Sequence, residues 1–132
     1  MKDVLDGLRG KFGSVWKYRA RPAHRPHTHD ELEFNLMVRG TVRYLVDDRS
    51  YVLRRHDLIW LFPSQEHLLV QPSADAEMWI GVLKQGVLHR LCSPAVANAM
   101  TAPRMTIPCR RSLPPERSRW IDVRSRECDP GI

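Results

Sequence analysis

The 132-residue chain has no apolar run approaching the roughly 18 residues that a membrane-spanning helix requires, so no helical span is expected. Its first residues, Met1-Lys2-Asp3-Val4-Leu5-Asp6, alternate charge with apolar side chains instead of forming the continuous apolar stretch of a secretory leader, which predicts a cytoplasmic location and no membrane partner. Cysteine is scarce and odd in number. Cys92, Cys109 and Cys128 cannot form a complete disulfide framework within one chain, and none belongs to a C-x-x-C pair, which excludes a zinc ribbon. Internal repeats and low-complexity runs are absent. What is present suits one globular core: 42% apolar and 27% charged residues, with 7 Gly and 10 Pro. The net charge of +6 is uneven, with 13 basic and 11 acidic residues through position 84 and 8 and 4 beyond it. That excess serves solubility first. No reading motif accompanies Arg110-Arg111 or Arg117 to Arg126, so sequence-specific DNA binding is not expected from this chain alone.

Hydrophobic periodicity divides the chain into residues 1–84 and residues 85–132. A short helix is predicted around Val4, Leu5 and Leu8, ended by Gly10 and Gly13. Residues 14–20 alternate apolar with basic side chains and predict an edge strand. Short strands follow at Leu32–Arg39, Thr41–Asp47, Tyr51–Leu53, Leu58–Phe62, His67–Gln71 and Glu77–Leu83, a spacing that predicts an all-β barrel or sandwich. Arg39-Gly40, Asp47 to Ser50 and Pro72 to Asp75 supply turns, the aspartates of the second bonding to nearby backbone amides. Beyond Lys84, Val87, Leu88 and Leu91 mark a short helix that stops near Ser93-Pro94, and a loop runs through Pro103 and Pro108. Pro114-Pro115-Glu116 opens a second helix, whose apolar residues are Trp120, Ile121 and Val123. The C-terminal segment is thus helical, basic and suited to a connector or dimerisation role, with Trp120 and Ile121 needing a partner or the barrel wall to cover them.

The segment that carries chemistry is Pro26-His27-Thr28-His29-Asp30-Glu31-Leu32-Glu33. On an extended chain positions 27, 29 and 33 share parity, so two imidazoles and a carboxyl project from one face. First-row divalent metals take such N and O donors at roughly 2.0–2.2 Å, and a strand holds donors two residues apart in adjacent coordination positions. His67 offers a third imidazole just after Pro63. Three His and one Glu would leave positions open for a small molecule. The same histidines would also serve, without any metal, as hydrogen-bonded side chains at a barrel mouth. His24 reads as a solvated loop residue, His89 as a surface residue, and His56 has no partner of obvious chemistry.

His27-x-His29-x-x-x-Glu33, followed by six residues and Gly40, resembles the first motif of the cupin superfamily, and Pro63-x-x-x-His67 resembles the core of the second. The resemblance covers roughly residues 20–84 and implies a double-stranded β-helix, or jelly roll, with short C-terminal helices after it. It also implies that His27, His29, Glu33 and His67 hold iron, manganese, nickel, zinc or copper. A narrower likeness runs through Arg43 to Asp47, Tyr51 to Arg54 and Asp57 to His67, which are similar to the sensor domain of AraC-type transcription regulators. That likeness implies a homodimeric domain that binds a small-molecule effector and contributes to transcription regulation, without the DNA-reading half. Three glycines expected in the motifs are replaced, by Arg21, His56 and Ser64, and the second motif's proline falls at Phe62.

Two functions follow from different classes. One is a sensor barrel with no catalytic residue, in which Glu33, Asn35, Met37 and Trp79 contact the effector and Trp60 and Phe62 fill the core. The other is a small metal-dependent cupin enzyme, a dioxygenase or isomerase, which the full ligand quartet favours. The 48 residues after Lys84 favour the sensor, because a basic helical tail suits a connector.

Overall fold

A computed structural model describes residues 13–19, 31–102 and 109–128, so the expected N-terminal helix, Arg21, His24, His27 and His29 lie outside the described residues. Among the described residues, eight strands and three helices follow in order: β1 Gly13–Arg19, β2 Leu32–Arg39, β3 Val42–Val46, β4 Arg49–Leu53, β5 Asp57–Leu61, β6 His67–Leu69, β7 Glu77–Leu83, α1 Gln85–Leu91, α2 Pro94–Thr101, β8 Arg110–Ser112 and α3 Pro115–Cys128. The strands form two antiparallel sheets, one ordered β1-β7-β2-β5-β8 and one ordered β4-β3-β6. The chain passes between sheets after β2, β4, β5 and β6, which gives the jelly roll its two layers.

Burial explains why the strands read differently in the sequence. Val42-Arg43-Tyr44-Leu45-Val46 alternates buried and exposed residues, because the outer face of the three-stranded sheet meets water. β2 is buried on both faces over most of its length, being central in the larger sheet. Its inward residues join Val42, Tyr44, Val46, Leu53, Ile59, Leu61, Phe62, Leu69, Met78 and Ile80 in the core between the sheets. Its outward residues, Phe34, Leu36 and Val38, pack with Leu58, Trp60, Trp79 and Ile121 in a second apolar layer. Phe34 lies opposite Gly81, where a Cβ would overlap the phenyl ring, so the glycine makes room for an aromatic across the strand. Phe34 then meets Trp60 edge to face, with 5.9 Å between ring centroids.

α3 covers this outer layer in a way its apolar residues do not announce. Ser118, Ile121, Asp122 and Ser125 form the stripe that is turned inward, and the two serines are buried. Small side chains let the helix approach the sheet closely. Trp79, fully buried, donates its indole N–H to Asp122 Oδ1 at 2.7 Å, and Lys17 Nζ lies 4.7 Å from the centre of its ring. Ile121 is therefore covered by the barrel wall as expected, whereas Trp120 and Val123 are exposed, Trp120 beneath the Arg124 guanidinium.

Three elements depart from the sequence reading. The stretch after Ser93 opens a second helix instead of a loop, with Ser93 Oγ accepting the Val96 N–H and Pro94 in the first turn, the two commonest helix-start signals. Arg110-Arg111-Ser112, three exposed polar residues without strand patterning, pairs with β5 as an edge strand, and Ser112 Oγ donates to buried Asp57 Oδ1 at 2.6 Å. The turn between β3 and β4 is only Asp47-Asp48, and Asp47 Oδ2 accepts from the Gln65 side chain instead of a local amide.

The Trp79–Asp122 bond generates a stability test. Asp122→Ala leaves a buried indole N–H without an acceptor and is expected to cost about 1–3 kcal/mol in urea unfolding, whereas Asp122→Asn keeps an acceptor oxygen and loses less. Equal losses in both variants would show that charge, not the hydrogen bond, holds the helix.

Candidate functional site

The register of β2 decides which candidate residues meet. Glu33 lies opposite Leu61 and Val82, Asn35 opposite Ile59 and Ile80, and Met37 opposite Met78, so all three point between the sheets. Leu36 pairs with Trp79, which places that tryptophan on the other face, under α3. The structure thus brings together Glu33, Asn35 and Met37 and separates Trp79 from them. Trp60 is also on the outer face, and Phe62 fills the inner core.

His67 comes from the opposite sheet. It is the first residue of β6, paired with Val46, and only 2% of its side chain is exposed. Its Nε2 stands 3.6 Å from Glu33 Oε1, itself 8% exposed at the side chain. Its Nδ1 is 3.1 Å from the Gln65 carbonyl oxygen, an atom that can only accept, so Nδ1 carries the proton of this bond and Nε2 is the atom turned toward the carboxyl. At 3.6 Å the two atoms are too far apart for a hydrogen bond. The separation is near the ~3.0–3.4 Å between adjacent donors around one metal with bonds of about 2.1 Å. The described half of the expected donor set therefore fits a divalent metal. Among the described residues no three His, Cys, Asp or Glu groups converge, and the remaining expected ligands, His27 and His29, lie outside them.

Sequence reasoning passed over two contributors. Gln65, buried in the loop before His67, accepts the Phe62 N–H at its Oε1 and donates to Asp47 Oδ2, which fixes the loop whose carbonyl orients the imidazole. Its signal was its position within Pro63-x-x-x-His67. Tyr44, buried on β3, donates its hydroxyl to Met78 Sδ at 3.8 Å. Burial, then the nearby Glu33 charge and Tyr18, hold its phenol well above the ordinary range, so it stays neutral.

The replaced glycines of the second motif keep glycine geometry. His56 has φ 75° and Ser64 φ 63°. His56 also anchors its turn through the backbone, donating to the Met37 carbonyl and accepting from the Leu113 N–H. The loops therefore take the shape that the motif requires although the residues differ, at a conformational cost. His89 is exposed on α1, as expected.

Comparison with known proteins agrees with this architecture. The profile of the AraC-like ligand-binding domain matches residues 13–82. A cupin protein, BF4112, from Bacteroides fragilis superposes with a TM-score of 0.50 at 16% identity, over 61% of this chain and 73% of that one. The plu4264 protein of Photorhabdus luminescens gives 0.49 at 21% identity, over 62% and 70%. An oxalate decarboxylase from Bacillus subtilis, described with Mn(II) centres, gives 0.44 at 19% identity. This chain spans 20% of that enzyme's length, and 60% of the length of the similar SPY1581 protein from Streptococcus pyogenes. At 16% identity the likeness to the Bacteroides fragilis protein is one of fold alone. No curated protein matches the chain.

Ser64 offers a direct check of the loop that carries His67. Ser64→Gly is expected to be more stable than Ser64→Ala by about 1 kcal/mol, since both lose the hydroxyl and only alanine is strained at positive φ. Equal stabilities in thermal unfolding would contradict the left-handed geometry.

Proposed function

The chain belongs to the AraC-like ligand-binding domain family, and from that premise we propose that it is the effector-binding sensor of an AraC-type transcription regulator. The observation that carries the reading is the polar group formed by Glu33, Asn35 and His67, buried between two otherwise apolar sheets. Buried polar side chains cost stability, and in a structural core apolar residues would fill the same positions more favourably. Such a cluster on a rigid strand is a recognition site for a small molecule. Met37 and Tyr44 supply adjoining wall, one apolar and adaptable, the other a neutral phenol. Trp79 belongs to the coupling side of the same strand pair, opposite Leu36 and bonded to α3.

A divalent metal at this place would be held by His27, His29, Glu33 and His67, and would supply a Lewis-acidic position for an effector oxygen. The Glu33–His67 distance supports this cofactor. It supports equally the second reading, a small metal-dependent enzyme. Residues 85–132 act in the sensor reading as the connector, with α3 docked on the outer face of β1 and β2. A homodimer uses the exposed Trp120 and Val123 of that helix. Work in the cytoplasm fits a regulator of transcription.

Two measurements test these readings. Metal content per chain, determined on untagged protein purified without chelator, is expected to be near stoichiometric and to disappear in His27→Ala and His67→Ala. A small molecule that raises the melting temperature and is recovered chemically unchanged supports the sensor. Its consumption at a rate abolished by Glu33→Gln would replace the sensor with the enzyme.

A further inference from the structure

The amide of Asn35 is completely buried, and its two ends are not equivalent. Nδ2 donates to Glu33 Oε2 at 2.9 Å. A carboxylate accepts and does not donate, so this bond fixes which end of the amide faces Glu33 and turns Oδ1 away from it. Oδ1 is shielded from solvent and accepts no hydrogen bond from the described residues. A buried carbonyl left without a donor keeps its full desolvation penalty, from which a purely structural core position gains nothing. The cross-strand neighbours of Asn35 are Ile59 and Ile80, so neither adjacent strand offers a side-chain donor at that level. The Tyr44 hydroxyl is engaged with Met78 Sδ.

Resting on the effector-site reading above, we propose that Asn35 Oδ1 is the specificity-determining acceptor of the site, and that the effector is a small neutral molecule presenting an N–H or O–H donor, an amide or an alcohol. The surrounding groups exclude the opposite chemistry. Glu33 Oε2 and Asn35 Oδ1 are both electron-rich, so a carboxylate or a ketone placed against them meets two acceptors and satisfies neither. A donor-bearing ligand completes the Glu33–Asn35 pair without moving it, because Nδ2 remains on Glu33. This preference concerns the ligand's donor and is read in chelated protein, where no metal competes for a ligand oxygen.

The test uses the full chain and three probes of the same size. Acetamide carries an N–H donor, acetone replaces it with a methyl group, and acetate replaces it with a charged oxygen. Each is titrated to about 0.2 M, beyond the millimolar dissociation constants expected of four-atom ligands, while the side-chain amide resonances of Asn35 are followed by NMR. Acetamide is expected to shift these resonances with a dissociation constant at least about tenfold below those of acetone and acetate. The selectivity is expected to vanish in Asn35→Leu, whose backbone spectrum reports whether it has folded. The wild-type series decides the matter even if that variant does not fold. If all three probes shift Asn35 with similar constants, the barrel binds small molecules but the donor preference is overturned. If none perturbs Asn35 or its neighbours on β2, both the donor preference and the effector site fall.

Discussion

β2 is buried on both faces, and the rest of the molecule is arranged around that constraint. Residues of one parity, Glu33, Asn35 and Met37, enter the space between the sheets, while residues of the other, Phe34, Leu36 and Val38, lie beneath α3. A strand has only two faces, so anything that displaces the inner side chains acts on the strand whose other face supports the helix. Trp79 ties the arrangement together from the neighbouring strand. It pairs with Leu36 in register and with Asp122 through its indole, so the helix is held by a directional bond as well as by apolar contact. In a sensor this is a short mechanical route from effector to connector, one strand thick.

The polar group within the core sets the molecule apart from a β-sandwich optimised for stability. Glu33, Asn35 and His67 are buried among Leu61, Ile59, Ile80 and Val46, where each loses hydration. The protein orients them with some care. Gln65 holds the loop before His67, its carbonyl sets the imidazole, and Asn35 steadies the Glu33 carboxyl. Supporting hydrogen bonds thus hold these side chains at positions where apolar residues would be more stable, which is the observation behind the proposed effector site.

Much of the fold was legible because the barrel strands alternate or run apolar over short stretches bounded by turn residues. The six strands expected between Leu32 and Leu83 all form, with ends shifted by one or two residues. The candidate ligands on β2 and β6 were legible because parity and motif spacing are properties of the chain itself. What was not legible depends on neighbours distant in sequence. Trp79 and Met37 are both large and apolar, and only the β2–β7 register assigns them to opposite faces. α3 buries Ser118 and Ser125 and exposes Trp120, the reverse of what hydrophobicity suggests, because the seam needs small residues and an acceptor for Trp79. β8 has no strand pattern and exists because β5 offers it an open edge. His56 and Ser64 take the left-handed conformations that glycine would fill, a case where the surrounding structure outweighs local preference.

If Glu33 and His67 share a bound cation, as proposed above, their energetic coupling depends on that cation, which a double-mutant cycle reads out. Unfolding free energies of the wild type, Glu33→Gln, His67→Gln and the double variant would be measured in protein as purified and again after exhaustive chelation. Shared metal binding predicts a coupling between the two residues that disappears when the metal is removed. A coupling of the same size in chelated protein would contradict it, showing a direct ion pair that needs no metal between its partners.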